Sequence, residues 1–472
     1  MPQGTSTDTL RSALRDTVQG MRPGERLPAT REISARHRVS PVTVSRALAG
    51  LRAEGVIVTR PGSGTFVAQR RPSGPAEDLD ASWQTVALGD RTVDAASVAF
   101  LLAPRGEAGA ISLAGGYPHP SLLPTRPLAA ALARAARRPD AAERPPLEGI
   151  AGLRSWFAES VNAALGPEDV LITTGGQSAL SAAFRAIVPA GGVVLVESPT
   201  YVGALAAARA ARISPVGVPI DHGGIRTDLL ADAFAATGAR AVYCQPTYQN
   251  PTGSVLAAER RREVLEIARD AGAFVIEDDY ARWLGHERPA RPPLIADDVD
   301  GRVVQIASIT KVTSPNLRIG ALIARGPVAE RLRSLRIVDD FFVPRPLQEA
   351  AVELLGAASW ASRLAALGRA LTERRTVLLA ALAEHLPQAR PGRRPDGGLN
   401  VWVALPDGID DLVLAQACRA AGVLISPGRP YHAAEPPRPY VRLSFAAAPD
   451  AAALEEGVRR LARAFAAVRA AT

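Results

Sequence analysis

The sequence predicts an α/β protein in three parts: a small helical unit closed by a β-hairpin, a large domain on a mostly parallel sheet, and a smaller α+β lobe. Three observations carry this. Residues 8–69 read as three amphipathic helices followed by two short β runs. From about 111 to 330, β runs alternate with Ala/Leu/Arg-rich helices, the pattern of a parallel sheet covered on both faces. After 330 long helices come first, then strands near 399–404, 423–426 and 439–445, then a terminal helix at 450–470. The divisions are therefore 1–69, a linker at 70–110, 111–330 and 331–472.

In the first part, Leu10, Ala13, Leu14 and Val18 make one helical face, ended by Gly20. A second helix covers about Thr30 to His37. Ser40-Pro41 then starts a third, with serine as N-cap and proline at the first helical position. Val44, Ala47, Leu48 and Leu51 give its buried stripe, and Gly55 ends it. VIVTRPGSGTFV follows, two β runs around a Pro-Gly-Ser-Gly turn. This is the order of a winged helix-turn-helix. Thr43, Ser45 and Arg46 lie off the apolar stripe, where they can reach bases or phosphates in a major groove. Ser40 and the helix N-terminus suit a phosphate oxygen, and Gly62 and Gly64 allow close backbone approach in the wing.

Charge is distributed to match. Residues 1–75 hold 12 Arg and 5 acidic residues, so they carry nearly all of the net +8. A small basic module on a near-neutral body is the footprint of a nucleic-acid binder, although a solvated basic surface would look the same. At 472 residues the chain allows about two to four domains. No apolar run reaches the ~18 residues of a membrane span. The N-terminus lacks a basic-then-apolar export signal, and Cys244 and Cys418 form no disulfide framework, so a reducing cytoplasm is expected.

One count is sharper. Of the 55 basic residues 54 are Arg, and the single Lys is Lys311. Such a bias leaves lysine only where arginine cannot substitute. Arginine stays protonated, whereas a lysine whose pKa is lowered can attack a carbonyl.

The strands of the large domain are expected at 170–173, 193–197, 214–218, 240–245, 273–277, 303–307 and 319–324. Five segments follow their C-terminal ends, where open α/β sheets bind ligands. Ser308-Ile309-Thr310-Lys311, with Arg318 beyond it, offers an imine-forming amine beside hydroxyl and guanidinium donors for a dianionic phosphate. Thr174-Gly175-Gly176-Gln177-Ser178 opens a helix, where unpaired N–H groups suit phosphate. Tyr201, in Glu197-Ser198-Pro199-Thr200-Tyr201, can stack on a flat heteroaromatic ring. Asn250, in Asn250-Pro251-Thr252-Gly253, can donate to a phenolate oxygen, and so can Tyr280. Asp278 or Asp279 can keep a pyridine nitrogen protonated, which makes the ring an electron sink. Taken singly, each segment is also an ordinary loop, turn or packed tyrosine, and the acidic pair also suits Mg²⁺. Their joint order argues against a metal.

The stretch GERLPATREISARHRVSPVTVSRALAGLRAEGVIVTRPGSGTFV resembles the GntR-type winged helix over nearly its whole length. That resemblance implies DNA contacts at Arg31, Ser40, Thr43, Arg46 and Gly64. Ala29 stands where a serine cap is common, and Pro41 where an arginine is frequent. The five later segments together resemble fold-type I proteins that bind pyridoxal 5′-phosphate (PLP), specifically class I/II aminotransferases. The fold class implied is a winged helix-turn-helix joined to a PLP-dependent transferase-like domain with a smaller α+β C-terminal lobe. The resemblance assigns phosphate to Gly176, Gln177, Ser308, Thr310 and Arg318. It assigns ring stacking to Tyr201, the phenolate to Asn250 and Tyr280, the ring nitrogen to Asp278 before Asp279, and covalent attachment to Lys311. Tyr440-Val441-Arg442-Leu443-Ser444-Phe445 matches the stretch whose arginine takes a substrate carboxylate, so Arg442 is the effector-carboxylate candidate.

Winged helix, linker and aminotransferase-like domain is the arrangement of the MocR/GabR subfamily of bacterial regulators. It implies a homodimer that binds double-stranded DNA and senses an amino compound or PLP itself. A working aminotransferase with an accessory DNA-binding domain shares every cofactor residue. Asn400, in GGLNVWV, stands where a histidine is common, and Arg282-Trp283 where an acidic and aromatic pair is common. Both bear on the effector rather than on the cofactor.

Overall fold

Ser40 caps its helix as its sequence position demands: its hydroxyl accepts from the Thr43 N–H at 3.2 Å, with Pro41 at the first helical position. The computed structural model describes residues 6–68, 81–88, 109–161 and 165–471. Contacts divide the chain into two units, Met1–Thr92 and Val93–Thr472. Most of the expected linker lies outside the described residues; within it stands a helix at Ser82–Leu88.

The first unit holds α1 (Ser6–Gln19), α2 (Thr30–His37), α3 (Pro41–Ala53), β1 (Ile57–Arg60) and β2 (Gly64–Val67). Leu10, Leu14, Ile33, Val44, Ala47 and Leu51 meet in its core. Leu48 is only partly buried, so the α3 stripe is narrower than expected. Ala29 has no side chain to cap α2; instead the Glu32 carboxylate reaches back to the Ala29 N–H at 3.1 Å. The hairpin pairs Arg60 with Gly64. Gly64 has φ +117°, a backbone conformation that L side chains rarely adopt, so glycine is favoured there.

In the second unit the strands are β3 (Ile111–Ser112), β4 (Val170–Thr173), β5 (Val193–Ser198), β6 (Ser214–Asp221), β7 (Gly224–Ile225), β8 (Ala241–Cys244), β9 (Phe274–Asp279), β10 (Val303–Ser308) and β11 (Gly320–Ile323). β12 (Arg390–Pro391), β13 (Asn400–Ala404), β14 (Val423–Leu424), β15 (Ser426–Pro427) and β16 (Tyr440–Ser444) follow. The large sheet runs β4-β11-β10-β9-β8-β5-β6-β7. Its centre is parallel, from β10 through β6; β11 and β7 run antiparallel to their neighbours. Alternate residues enter two separate cores: Val242, Val275 and Val303 pack in one, Tyr243, Ile276 and Val304 in the other. A sheet buried on both faces is why these strands read as continuous apolar runs.

The second sheet, β12-β13-β16-β15, is antiparallel and belongs to the C-terminal part. β3 departs from the expected division at 111. It pairs in parallel with β14, Val423 opposite Ile111 and Leu424 opposite Ser112. The Ser444 N–H then bonds to the Leu113 carbonyl at 2.6 Å. The strand that opens the second unit is thus built into the small lobe, which carries residues 114–117 toward the ends of the large sheet.

Candidate functional site

Lys311 lies three residues past the end of β10 and is partly buried. Its Nζ donates to the Gly116 carbonyl at 2.7 Å and stands 3.7 Å from the centre of the Tyr117 ring. Burial, reinforced by Arg442 and more weakly by Arg318, lowers its pKa to about 7 against an opposing pull from Asp278. A large neutral fraction at neutral pH is what a nucleophilic amine requires.

The acidic pair is separated by strand alternation on β9. Asp278 Oδ2 accepts from the Tyr243 hydroxyl at 2.7 Å and Gln245 Nε2 at 2.8 Å. Burial raises the Asp278 carboxyl, and these two bonds and Lys311 hold it back. Asp279 points the other way, toward Arg282 at 3.5 Å and Gln305 Nε2 at 3.0 Å. Of the two, only Asp278 shares an environment with Lys311, which supports it as the partner of a ring nitrogen. Gln245 also accepts the Asn250 N–H at 3.1 Å, and so ties the Asn250 loop to the Asp278 carboxylate.

Gly175 and Gly176 form the start of the helix Gly176–Ile187. Gly175 has φ +95°, and a Cβ there would fall 2.9 Å from the Arg318 guanidinium. Arg318 donates to the Thr174 carbonyl at 2.9 Å and has no carboxylate partner among the described residues. Ser308 and Thr310 are buried, their hydroxyls 3.1 Å apart. Helix N–H groups, two hydroxyls and a guanidinium without a carboxylate partner form a donor-rich cradle that fits a phosphate dianion. Gln177 is exposed, and accepts from the Tyr201 hydroxyl at 3.1 Å while donating to the Gly203 carbonyl at 3.0 Å. The Tyr280 hydroxyl donates to the Tyr248 carbonyl at 2.7 Å.

Arg442, on β16, is 1% exposed. It donates to Asn250 Oδ1 at 3.1 Å, to the Ala114 carbonyl at 2.5 Å and to Ser426 Oγ at 3.4 Å. Among the described residues no carboxylate faces it. β16 therefore builds no strand-end salt bridge at Arg442 among the described residues. Because Arg442 occupies Asn250 Oδ1, the Asn250 amide is oriented with its NH₂ left to donate elsewhere.

Sequence reasoning did not single out Gly116, Tyr117, Tyr243 or Gln245. Tyr243 and Gln245 could have been found from β8, where alternation puts both on the face of Asp278. Gly116 and Tyr117 lie about 195 residues before Lys311 and carry no local sign of meeting it.

In the first unit, Arg31, Ser40 and Arg46 are exposed and Thr43 is partly so, its hydroxyl 2.9 Å from that of Ser40. Arg31 and Arg46 have no ion-pair partner among the described residues. Arg60 is exposed on β1, 5.0 Å from the Phe66 ring. Among the described residues no helix is long and apolar enough to cross a membrane, and no cluster of His, Cys, Asp or Glu is placed to hold a metal.

Residues 113–461 match the family of class I and II aminotransferases, and residues 7–67 the gntR family of bacterial regulatory proteins. The chain is 33% identical to a 2-aminoadipate transaminase of Thermus thermophilus, over 81% of this chain and 97% of that one. It is 29% identical to the HTH-type transcriptional regulator TauR of Rhodobacter capsulatus, over 98% of this chain and 97% of that one. Its structure resembles LysN, the alpha-aminoadipate aminotransferase of Thermus thermophilus solved with N-(5′-phosphopyridoxyl)-L-leucine, with a TM-score of 0.76 at 32% identity, over 82% of this chain and 100% of that one.

Proposed function

Because this chain belongs to the class I and II aminotransferase family, with a GntR-family domain ahead of it, we propose that it is a PLP-dependent transcription regulator of the MocR/GabR type. The carrying observation is that its likeness to a regulator runs through both units, 98% of the chain, whereas its likeness to the transaminase covers 81%. The aminotransferase-like domain senses an amino compound or PLP itself, and the winged helix binds double-stranded DNA in the cytoplasm.

Gly176, Gln177, Ser308, Thr310 and Arg318 would hold the phosphate, Tyr201 would stack, Asn250 and Tyr280 would meet the phenolate oxygen, and Asp278 the ring nitrogen. Bound there, PLP supplies an aldehyde carbon for an amine and a protonated ring that withdraws electrons. The remaining work is done by the chain itself. Gly116 orients the Lys311 amine, whose lowered pKa leaves it free to attack at neutral pH. Tyr243 and Gln245 fix the Asp278 carboxylate toward the site. Arg442 presents a buried cation to an incoming carboxylate. Lobe movement on binding would shift a pre-existing equilibrium of the DNA-binding units.

The same residues favour a second reading, a working aminotransferase. The deciding experiment pairs multiple-turnover assays on amino-acid and keto-acid pairs with an absorbance titration of the PLP-loaded chain. A spectral response without sustained turnover is expected; turnover at rates typical of enzymes, roughly 1–10³ per second, would establish the transaminase instead. Arg442→Leu should still take up PLP yet lose at least tenfold in affinity for amino acids. Undiminished affinity would remove Arg442 from the effector site. The protein should also be a homodimer; a monomer in analytical ultracentrifugation at micromolar concentration would contradict this.

A further inference from the structure

Asn400 is 6% exposed, yet its Oδ1 has no hydrogen-bond partner among the described residues. A buried acceptor left without a donor is unfavourable and rare in folded proteins. Its position says what could satisfy it. On β13, Asn400 stands opposite Ser444 of β16, and the next pair on the same face is Trp402 opposite Arg442. Directly paired residues of an antiparallel ladder share a face, and diagonal neighbours lie within reach of one another. Asn400 therefore looks out beside Arg442, from the face that meets Asn250. Two residues earlier, a Cβ on Gly398 would lie 3.9 Å from the Tyr280 hydroxyl. The orphan acceptor thus shares the strand face of the guanidinium that awaits a carboxylate, two residues from a glycine that approaches a tyrosine assigned to the cofactor.

We propose that Asn400 is a specificity-determining residue that accepts a hydrogen bond from the effector, so that the effector is an amino acid whose side chain carries an N–H or O–H donor. The inference rests on the sensing function proposed above and adds the class of ligand. Arg442 takes the carboxylate, which every amino acid has and which cannot discriminate. Asn400 takes a donor that aliphatic and thioether side chains lack. A site built to hydrogen-bond a polar group rejects the analogue without it far more strongly than an apolar pocket rejects an added one.

The test is an absorbance titration of the PLP-loaded full chain with three pairs, each within one side-chain heavy atom in size and differing in a donor: L-threonine and L-valine, L-glutamine and L-methionine, L-lysine and L-norleucine. In the native chain the donor-bearing member of at least one pair should bind at least tenfold more tightly. In Asn400→Leu that ratio should collapse to within threefold, with PLP uptake unchanged. The ligand-free variant should melt no lower than the native chain, because an apolar side chain of similar shape removes an unsatisfied acceptor; a residue kept for structure would lower the melting temperature. Asn400→Ala serves the same comparison if the leucine variant does not fold. Native ratios below tenfold in all three pairs, or a ratio that persists in the variants, overturns the assignment while leaving the sensing function standing. No response to any of the six overturns this inference and leaves PLP itself as the signal to be tested.

Discussion

Lys311→Ala will be colourless where the native chain is yellow. Borohydride should fix the cofactor of the native protein to one peptide, the one that contains residue 311, and should fix none in the variant. The loss is complete because there is no second lysine in the chain to take its place. PLP held in the variant by the phosphate cradle alone will dialyse away without a covalent link. The pH dependence adds an independent reading. An ordinary lysine at pH 7 is neutral in only on the order of one molecule in a thousand. With its pKa lowered to about 7, Lys311 is neutral in a large share. Covalent uptake of PLP by the apo-protein should therefore rise with pH, reach half its maximum near 7, and level off above. A profile still climbing at pH 9 would show an unperturbed amine. Stability follows the same linkage. Between about pH 7 and the ordinary lysine value near 10.4, the unfolded chain holds a proton that the folded chain does not, so this group makes the apo-protein more stable as pH rises through that window. Lys311→Ala should flatten that slope.

The second large effect is on DNA. Arg31→Ala and Arg46→Ala should each weaken binding about tenfold to a hundredfold, or about 1–3 kcal/mol, if they read bases, and relax sequence preference at one position. If they meet phosphates, the loss should be uniform across sequences and the dependence on salt should become shallower by about one counterion each. Both side chains are exposed and without ion-pair partners among the described residues, so the stability of each variant should stay within about 0.5 kcal/mol of native. Unchanged affinity in both, with folding intact, would take α3 out of the interface and shift the reading toward the enzyme.

How much of this was legible in the sequence depended on whether the signal was local. The winged-helix unit was, because Ser40-Pro41, the α3 stripe and the Pro-Gly-Ser-Gly turn each act within a few residues. So were the strands that carry the site, since a parallel sheet buried on both faces leaves unbroken apolar runs. β7, at two residues, was too short to show a period. β3 was missed for another reason: its partner β14 lies more than 300 residues away, and a two-residue pairing leaves no pattern. Lys311 announced itself by being the only lysine. Its neighbours Gly116 and Tyr117 did not, because the contact is made by topology rather than by spacing. The choice between Asp278 and Asp279 needed the alternation of β9 to be seen against Tyr243 and Gln305.

The segment from Leu113 to Tyr117 has a consequence of its own. Its Ala114 carbonyl accepts from Arg442 and its Gly116 carbonyl from Lys311. The amine and the guanidinium with which a ligand must deal are thus moored to one short length of backbone, a few residues past the start of β3. An amino acid that draws on both groups competes with two contacts made by the same short segment. Releasing Arg442 and Lys311 would therefore free the same few residues, 114–116, in a single event.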